Sequence, residues 1–169
     1  MAHRLKPEVH WSRAVGYLEL EMFVQVGEEL DMLPEDQFWR KRKSAMVIEI
    51  SQRQKNWVKM RQLAEQMRHK FPDEPSWWVA EAYATRRSLS LIKARDILLD
   101  GLVHHYEDAT IRYNLACYAC LLGSLGECLD FLKEAVSRDE RYKKMAMEDE
   151  DLEAVRDALR SLGWDEEGV

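Results

Sequence analysis

The sequence carries a repeat with a period of 34 residues, and this period constrains the fold more than any other feature. The stretch from position 109 to 140 predicts two amphipathic helices joined by a tight turn at Gly123. Small residues stand where these two helices must touch, and small residues recur 34 positions earlier. The later set is Ala116, Cys128 and Ala135, and the earlier set is Ala82, Ala94 and Gly101. A fixed period of this length indicates stacked helical hairpins.

Extending the period backwards gives three columns of four residues, one in the first helix of each pair and two in the second. None of the twelve residues is charged, although 33% of the chain is charged. A helical hairpin cannot bury its apolar face alone, so each hairpin must cover the next one and the same positions must be apolar in every unit. The columns are Ala14, Ile48, Ala82 and Ala116; Val26, Met60, Ala94 and Cys128; and Leu30, Ala64, Leu98 and Leu132.

These columns, with the segments YNLACYACLLG and NWVKMRQLAEQMRHKFP, resemble the tetratricopeptide repeat (TPR), in particular that of bacterial proteins. The resemblance covers about residues 7–140. It implies an all-α fold in which stacked antiparallel hairpins form a right-handed superhelix, an α–α solenoid. The expected parts are a disordered start at 1–6, four repeats at about 7–40, 41–74, 75–108 and 109–142, a C-terminal capping helix at 149–162, and a loose tail at 163–169.

Unit two departs from the pattern, because Ile48, Met60 and Met67 are bulkier than the family residues at these positions. Larger side chains hold packed helices further apart, so we expect this unit to be splayed relative to its neighbours. The C-terminal part of the chain also departs from the repeat. Residues 141–148 predict a short turn of helix or an irregular linker.

Several polar residues predict where individual helices begin. Asn56 and Ser90 precede apolar helical patterns, and their side chains can accept hydrogen bonds from the free N–H groups of a first turn. They therefore predict the N-caps of the fourth and sixth helices. Either Ser76 or Asp73 is expected to cap the fifth helix.

The first helix of each pair lines a concave groove in TPR proteins. That groove holds an extended peptide or a helix of a partner, and the family as a whole has no catalytic activity of its own. The resemblance therefore implies a non-enzymatic protein–protein interaction module. The groove positions carried over are Trp11 and Val15 in unit one, Glu49 and Arg53 in unit two, Val79, Tyr83, Arg86 and Arg87 in unit three, and Tyr113 and Cys117 in unit four.

This set combines an aromatic and apolar floor with arginines near its middle. Arginine pairs bidentately with carboxylates, and tyrosine and tryptophan supply large contact areas. The expected partner is thus a protein or peptide with apolar anchors and acidic groups. Binding of a chaperone's C-terminal tail is disfavoured, since the Lys and Asn clamp of those family members is missing. The positions where it would begin hold Trp11, Val15, Ala45, Glu49, Val79 and Tyr83.

Other spacings that could indicate chemistry predict no site. Cys117-x-x-Cys120 lies in the middle of a predicted helix, whereas a redox pair is activated at a helix N-terminus. No second pair completes the four ligands of a zinc site, and Cys128 belongs to a buried column. The sequence has no glycine-rich phosphate loop and no triad-like spacing. We therefore expect no enzyme activity, no metal and no cofactor.

Charge and composition narrow the class of partner. The net charge of −6 disfavours nucleic acid, whose binding depends on clustered lysine and arginine. The basic run at 40–43 surrounds a helix rather than forming a stripe. No stretch has the roughly 18 apolar residues of a membrane span, and none resembles a signal peptide. Three clustered cysteines fit a reducing compartment, so we expect a cytoplasmic protein.

Two alternatives to the interaction module remain. The chain could be a structural self-assembly unit that forms homo-oligomers through exposed end helices. It could also bind RNA, as the related 35-residue pentatricopeptide repeats do, although both the period of 34 and the negative charge disfavour this reading.

Overall fold

The computed structural model describes residues 5–165, and within this range the chain is helical and contains no β-strand. The expected all-α fold class is confirmed. Parts of the predicted disordered start and loose tail, residues 1–4 and 166–169, lie outside the described range. The helices are α1 (Pro7–Glu19), α2 (Phe23–Asp31), α3 (Gln37–Arg53), α4 (Trp57–Lys70), α5 (Pro75–Ser88), α6 (Leu91–His104), α7 (Ala109–Leu121), α8 (Leu125–Arg138), α9 (Arg141–Glu148), a 3₁₀ helix (Glu150–Val155) and α10 (Arg156–Ser161).

The period of 34 residues reappears in the helix boundaries. The second helices of the four pairs begin at Phe23, Trp57, Leu91 and Leu125, each 34 residues after the one before. Three of the first helices keep the same register, beginning at Pro7, Pro75 and Ala109. Helix α3 begins about one turn early because the side chain of Asp36 accepts a hydrogen bond from the N–H of Trp39 and caps the extra turn.

The N-caps follow the sequence signals in two of the three predicted cases. Asn56 and Ser90 each accept a hydrogen bond from an N–H three residues further on, as predicted. The prediction for α5 was wrong, since neither Ser76 nor Asp73 is its cap and the helix begins at Pro75. Proline at the first helical position has no N–H to satisfy and a φ already suited to the helix, so α5 can begin without a side-chain cap.

The turn between the two helices of a pair repeats as well. Glu21, Lys55 and Gly123 occupy the same position in units one, two and four, and their φ angles are 55°, 55° and 81°. The fourth equivalent, Leu89, has φ −135° and makes a different turn. A left-handed conformation is unfavourable for residues with a Cβ atom, so only Gly123 adopts it without strain.

All twelve residues of the three predicted columns are buried, with at most 8% of their surface exposed. Consecutive helices pack against each other from α3 to α9, and α1 packs against α2, as stacked hairpins require, whereas α2 and α3 are in much less contact. This agreement supports a helical repeat. Helix α3 packs less extensively against α4 than α7 does against α8, and the bulky Ile48 and Met60 lie in unit two.

The buried apolar residues form three clusters. The first joins α1, α2 and one side of α3, including Trp39 and Met46. A second cluster joins the other side of α3, through Ile48, to α4 and α5. The third is the largest and is continuous from α5 to α10. The core is therefore divided towards the N-terminus and continuous towards the C-terminus.

The C-terminal segment differs from the expected single capping helix at 149–162. Residues 141–148 form the regular helix α9, and residues 150–155 form a 3₁₀ helix before α10. The spacing of Leu152, Val155 and Leu159 explains the change. Residues three apart align in a 3₁₀ helix, so Leu152 and Val155 both point into the large cluster. Trp164 also folds back against that cluster.

Between residues 5 and 165, no helix has the length and apolar character that crossing a bilayer requires.

Candidate functional site

An apolar cleft of about 380 Å³ opens between the first helices α3, α5 and α7. Its wall includes Ile48, Met60 and Val79, and polar side chains stand at its rim. A cleft of this kind can bury a bulky apolar side chain while leaving the main chain of a ligand at the rim. The lining residues are Ile48, Gln52, Met60, Pro75, Ser76, Val79, Ala80, Tyr83, Asp108 and Thr110.

The cleft lies beside the positions where unit two departs from the repeat. Ile48 stands where the other three units have alanine, and Met60 stands where they have smaller residues. Both side chains are buried and both line the cleft. Because larger side chains keep neighbouring backbones apart, these two residues help to open the space between α3 and α5.

An arginine and two aromatic rings adjoin the cleft. The guanidinium of Arg87 lies 3.6 Å from the ring centroid of Tyr83, which lines the cleft, and 5.1 Å from that of Trp57. The two rings are themselves in edge-to-face contact, with centroids 5.9 Å apart. Arg87 is exposed and forms no ion pair with any residue from 5 to 165.

A second arginine is held in the same way near the start of α3. The guanidinium of Arg42 lies 4.4 Å from the ring centroid of Phe38, and the rings of Trp11 and Trp39 are within 5.8 Å. The other members of the basic run have partners, since Lys41 pairs with Glu74 and Lys43 with Glu35. Arg40 donates to the carbonyl of Glu35. Arg42 is the member of the run whose guanidinium has neither an ion pair nor a hydrogen bond among residues 5–165.

The other predicted positions in units one and two are partly used within the chain. Arg53 donates to the carboxylate of Glu49 at 2.9 Å and to the carbonyl of Leu18 at 3.1 Å. The hydrogen bond to Glu49 raises the pKa of the Arg53 guanidinium. Val15 is more than one-third exposed. Unit one therefore offers apolar surface at Val15 and Trp11, while the charges of Glu49 and Arg53 neutralise each other.

Unit four is covered by the C-terminal segment, through contacts that we call the C-terminal clasp. Arg86 makes a bidentate ion pair with Asp151, with one N–O distance of 2.7 Å. The hydroxyl of Tyr113 donates to the carboxylate of Asp149 at 2.8 Å. The thiol of Cys117 lies 3.7 Å from the same carboxylate. Three predicted groove residues are thus in contact with this chain's own acidic segment.

The clasp changes the acidity of its members. Burial and then the nearby Asp149 carboxylate raise the pKa of the Cys117 thiol far above its usual value. Burial is likewise the main cause of the raised pKa of Tyr113. The hydrogen bond to Asp151 raises the pKa of the Arg86 guanidinium. Cys117 and Tyr113 therefore stay neutral, and Arg86 stays charged opposite Asp151.

The same residues are the nearest approach to a metal site in residues 5–165. The ligand atoms of Cys117, Asp149 and Asp151 lie within 4.8 Å of one another. A metal would require the Cys117 thiolate, which burial disfavours, and it would stand next to the positive guanidinium of Arg86. The geometry suits a charge-balanced structural contact better than a cation site.

The structure brings together some of the predicted residues and separates others. Val79 and Tyr83 line the cleft and Arg87 adjoins it, whereas Arg86, Tyr113 and Cys117 lie in the clasp. Sequence reasoning missed Ile48 and Met60 as cleft residues, although it had marked their unusual size. It also missed the aromatic partners of the two arginines and the acidic residues of the clasp. These residues are Trp57, Phe38, Trp39, Asp149 and Asp151.

No model of a known protein family matches the sequence, and a comparison with curated proteins finds no relative.

Proposed function

We propose that this protein is a non-enzymatic interaction module of the TPR type, in which four hairpins form a right-handed superhelix and an extended segment of a partner binds along α1, α3 and α5. The cleft is the observation that carries the proposal. It lies between first helices of consecutive pairs, where the family resemblance places a ligand groove, and it has an apolar wall and a polar rim.

The recurrence of helix starts, turns and buried columns every 34 residues supports the repeat. The C-terminal clasp supports a division of the groove into an open part and a covered part. Because the clasp occupies Arg86, Tyr113 and Cys117, the partner would contact units one to three, with Trp11, Val15, Val79, Tyr83 and Arg87 as the open positions. The proposal involves no cofactor, metal or nucleic acid.

Substitution at the rim of the cleft tests this function. Ser76 is an exposed rim residue, so a tryptophan there can cover the cleft without disturbing the core. The matched control is Ser137→Trp, which makes the same change at an exposed position of α8. Partners would be captured from lysate of the native host with the wild-type protein and both variants, after circular dichroism has shown equal helix content.

We expect Ser76→Trp to lose the partners that the wild-type protein and Ser137→Trp retain. The same set of partners with all three proteins would exclude the cleft as the binding surface. If none of the three proteins captures a partner, the interaction function itself is contradicted.

A second candidate function, self-assembly, is favoured by the free face of α1. Val9 is exposed on this helix, and Leu20 is exposed directly after its end. Trp77 and Ile111 occupy the same repeat position as Val9 in later units and are buried. A second copy of the chain could cover this face and form a homo-oligomer. Sedimentation velocity at several concentrations tests it, since a persistent monomer contradicts self-assembly.

A further inference from the structure

The arginines of α3 and α5 fall into two groups by their partners. Arg40, Arg53 and Arg86 bind a carboxylate or a carbonyl of this chain. Arg42 and Arg87 form neither an ion pair nor a side-chain hydrogen bond with any residue from 5 to 165. Acidic residues outnumber basic ones in this chain, which has a net charge of −6. Arg42 and Arg87 are thus exposed arginines of α3 and α5 that stay without a carboxylate among residues 5–165, although the chain is acidic.

Both arginines are held in place by aromatic rings instead. Arg42 lies over Phe38, and Arg87 lies over Tyr83. Stacking covers one face of a guanidinium and leaves its N–H groups free to bind an anion at the edge. It also fixes the side chain before a ligand arrives, which lowers the entropy cost of binding. Each cluster is thus a preformed receptor for a carboxylate.

The clasp shows that neighbouring positions on these helices bind carboxylates. Arg86 precedes Arg87 in the sequence and holds Asp151 by two parallel hydrogen bonds. Asp149, in the same acidic segment, accepts from Tyr113. The C-terminal segment is therefore an intramolecular example of an acidic chain lying on α5 and α7.

The repeat register gives the separation of the two receptors. Arg42 is equivalent to Ser76, a rim residue of the cleft, so the two arginines are 11 positions apart in the register of one unit. At 1.5 Å per residue this is about 16 Å along the helix direction. An extended chain advances about 3.3 Å per residue, so about five residues cover this distance. The two arginines lie on different helices, and the roughly 8–10 Å between neighbouring helix axes extends the span to about five to seven residues. Val79 and Tyr83 lie between them in this register.

We propose that the ligand is an acidic extended segment of another protein, with one carboxylate on Arg42, one on Arg87, and a bulky apolar side chain between them in the cleft. This inference rests on the proposed function and specifies the chemistry of its ligand. The two carboxylates would stand about five to seven residues apart. Their charges complement Arg42 and Arg87, the arginines of α3 and α5 without an ion pair or hydrogen bond among residues 5–165.

Selection from a library of random nonapeptides displayed on phage tests the proposal with a defined probe. We expect the wild-type protein to enrich peptides that have a central bulky apolar residue and Asp or Glu on both sides. The affinity of an enriched synthetic peptide would then be measured by fluorescence anisotropy. It should fall at least tenfold in Arg42→Gln and in Arg87→Gln, and it should fall as NaCl is raised from about 50 to about 300 mM.

Arg141→Gln is the matched control, because Arg141 is an exposed arginine outside the cleft, and it should leave the affinity unchanged. Enriched peptides without carboxylates, or acidic peptides whose affinity is the same in Arg42→Gln and Arg87→Gln, would overturn this inference. If such peptides still lose binding in Ser76→Trp, the groove function stands without it. If no enriched peptide is sensitive to Ser76→Trp, both proposals fail.

Discussion

The two ends of this molecule contain the same 34-residue unit, but their hydrophobic cores differ in size and continuity. At the N-terminal end, α1 and α2 share a small cluster with one side of α3, and apolar residues such as Leu20 and Val24 remain exposed. At the C-terminal end, one continuous cluster joins α5 to α10, and Leu152 and Leu159 are fully buried in it. The unit itself does not decide how well it is covered; its neighbours do.

The difference has a consequence for binding. The chain turns back over α7 through α9 and the 3₁₀ helix, and the clasp covers the face that a ligand would need in unit four. Between α3 and α5 nothing in the described range covers the equivalent face, and the cleft is there. A terminal segment can thus stabilise one end of a repeat array and confine ligand binding to the other end.

The largest expected effect concerns one buried column at the two ends. Leu132→Ala removes a fully buried side chain from the large cluster, and Leu30→Ala makes the same change in the N-terminal cluster. We expect Leu132→Ala to cost about 3–4 kcal/mol and Leu30→Ala about 2 kcal/mol, because the small cluster is nearer to solvent and can relax. Urea unfolding monitored by circular dichroism measures both costs.

Amide hydrogen exchange then identifies the helices that each substitution destabilises. In a quasi-linear repeat array, each unit depends mainly on its neighbours. Leu30→Ala should speed exchange in α1, α2 and α3, which share its cluster, whereas Leu132→Ala should speed it from α5 to α10. Equal costs with the same exchange pattern in both variants would show that the molecule has a single cooperative core and that its two ends do not differ in this way.

The clasp gives the second contrast, between two adjacent arginines. Arg86→Ala leaves Asp151 without its bidentate partner in a half-buried site, so we expect a loss of about 1–2 kcal/mol. Arg87→Ala removes no ion pair and loses only its stacking on Tyr83 and Trp57, so it should cost about 0.5 kcal/mol. Thermal melting of the two variants measures the difference.

Alkylation of Cys117 reports on the clasp directly. Its thiol is buried and its pKa is raised, so iodoacetamide should modify it very slowly in the wild-type protein at pH 8. We expect Arg86→Ala to speed this reaction and Arg87→Ala to leave it unchanged, with mass spectrometry identifying the modified cysteine. Rapid alkylation of Cys117 in the wild-type protein would mean that the C-terminal segment does not cover α7 in solution.

The sequence predicts the repeat well because its signal is carried by buried positions that packing forces to be apolar. Val26, Met60, Ala94 and Cys128 are chemically different, and they are buried in equivalent places. The same signal cannot predict the clasp, since Arg86 and Asp151 are 65 residues apart and belong to no shared periodicity. An acidic run beside a predicted helix indicates capping as readily as a distant ion pair.

The candidate site illustrates the same limit. Groove positions in each first helix follow from the repeat register, and Val79 and Tyr83 do line the cleft. Whether a given position is open depends on what else the chain places over it, and the register does not contain that information. The sequence contains the bulk of Ile48 and Met60, but the cleft beside them depends on how α3, α4 and α5 pack together.

Two glycines provide a third contrast, because replacing each by alanine should change the free energy of unfolding in opposite directions. A Cβ atom at Gly101 would lie 3.1 Å from the ring of Trp78, and stacking on His104 and Arg68 prevents that ring from moving away. We expect Gly101→Ala to cost about 1–2 kcal/mol. Gly27, in α2, has open space around it, so Gly27→Ala should gain about 0.5–1 kcal/mol from helix propensity. Urea unfolding decides the signs, and a gain from Gly101→Ala would contradict the tight contact.

The smallest expected effect concerns the repeated turn, which is strained in unit two and relaxed in unit four. Lys55 has a φ of 55°, so Lys55→Gly removes an unfavourable left-handed conformation, whereas Gly123→Ala introduces one. Glycine also makes the unfolded chain more flexible, and this offsets part of the gain. We therefore expect Lys55→Gly to stabilise by no more than about 0.5 kcal/mol and Gly123→Ala to destabilise by about 1 kcal/mol.

Lys59→Gly, in the exposed part of α4, is the control and should cost about 1 kcal/mol, because its backbone is helical. If Lys55→Gly costs as much as Lys59→Gly, the turn of unit two is not held in the left-handed conformation, and the units would share their columns without sharing their turns.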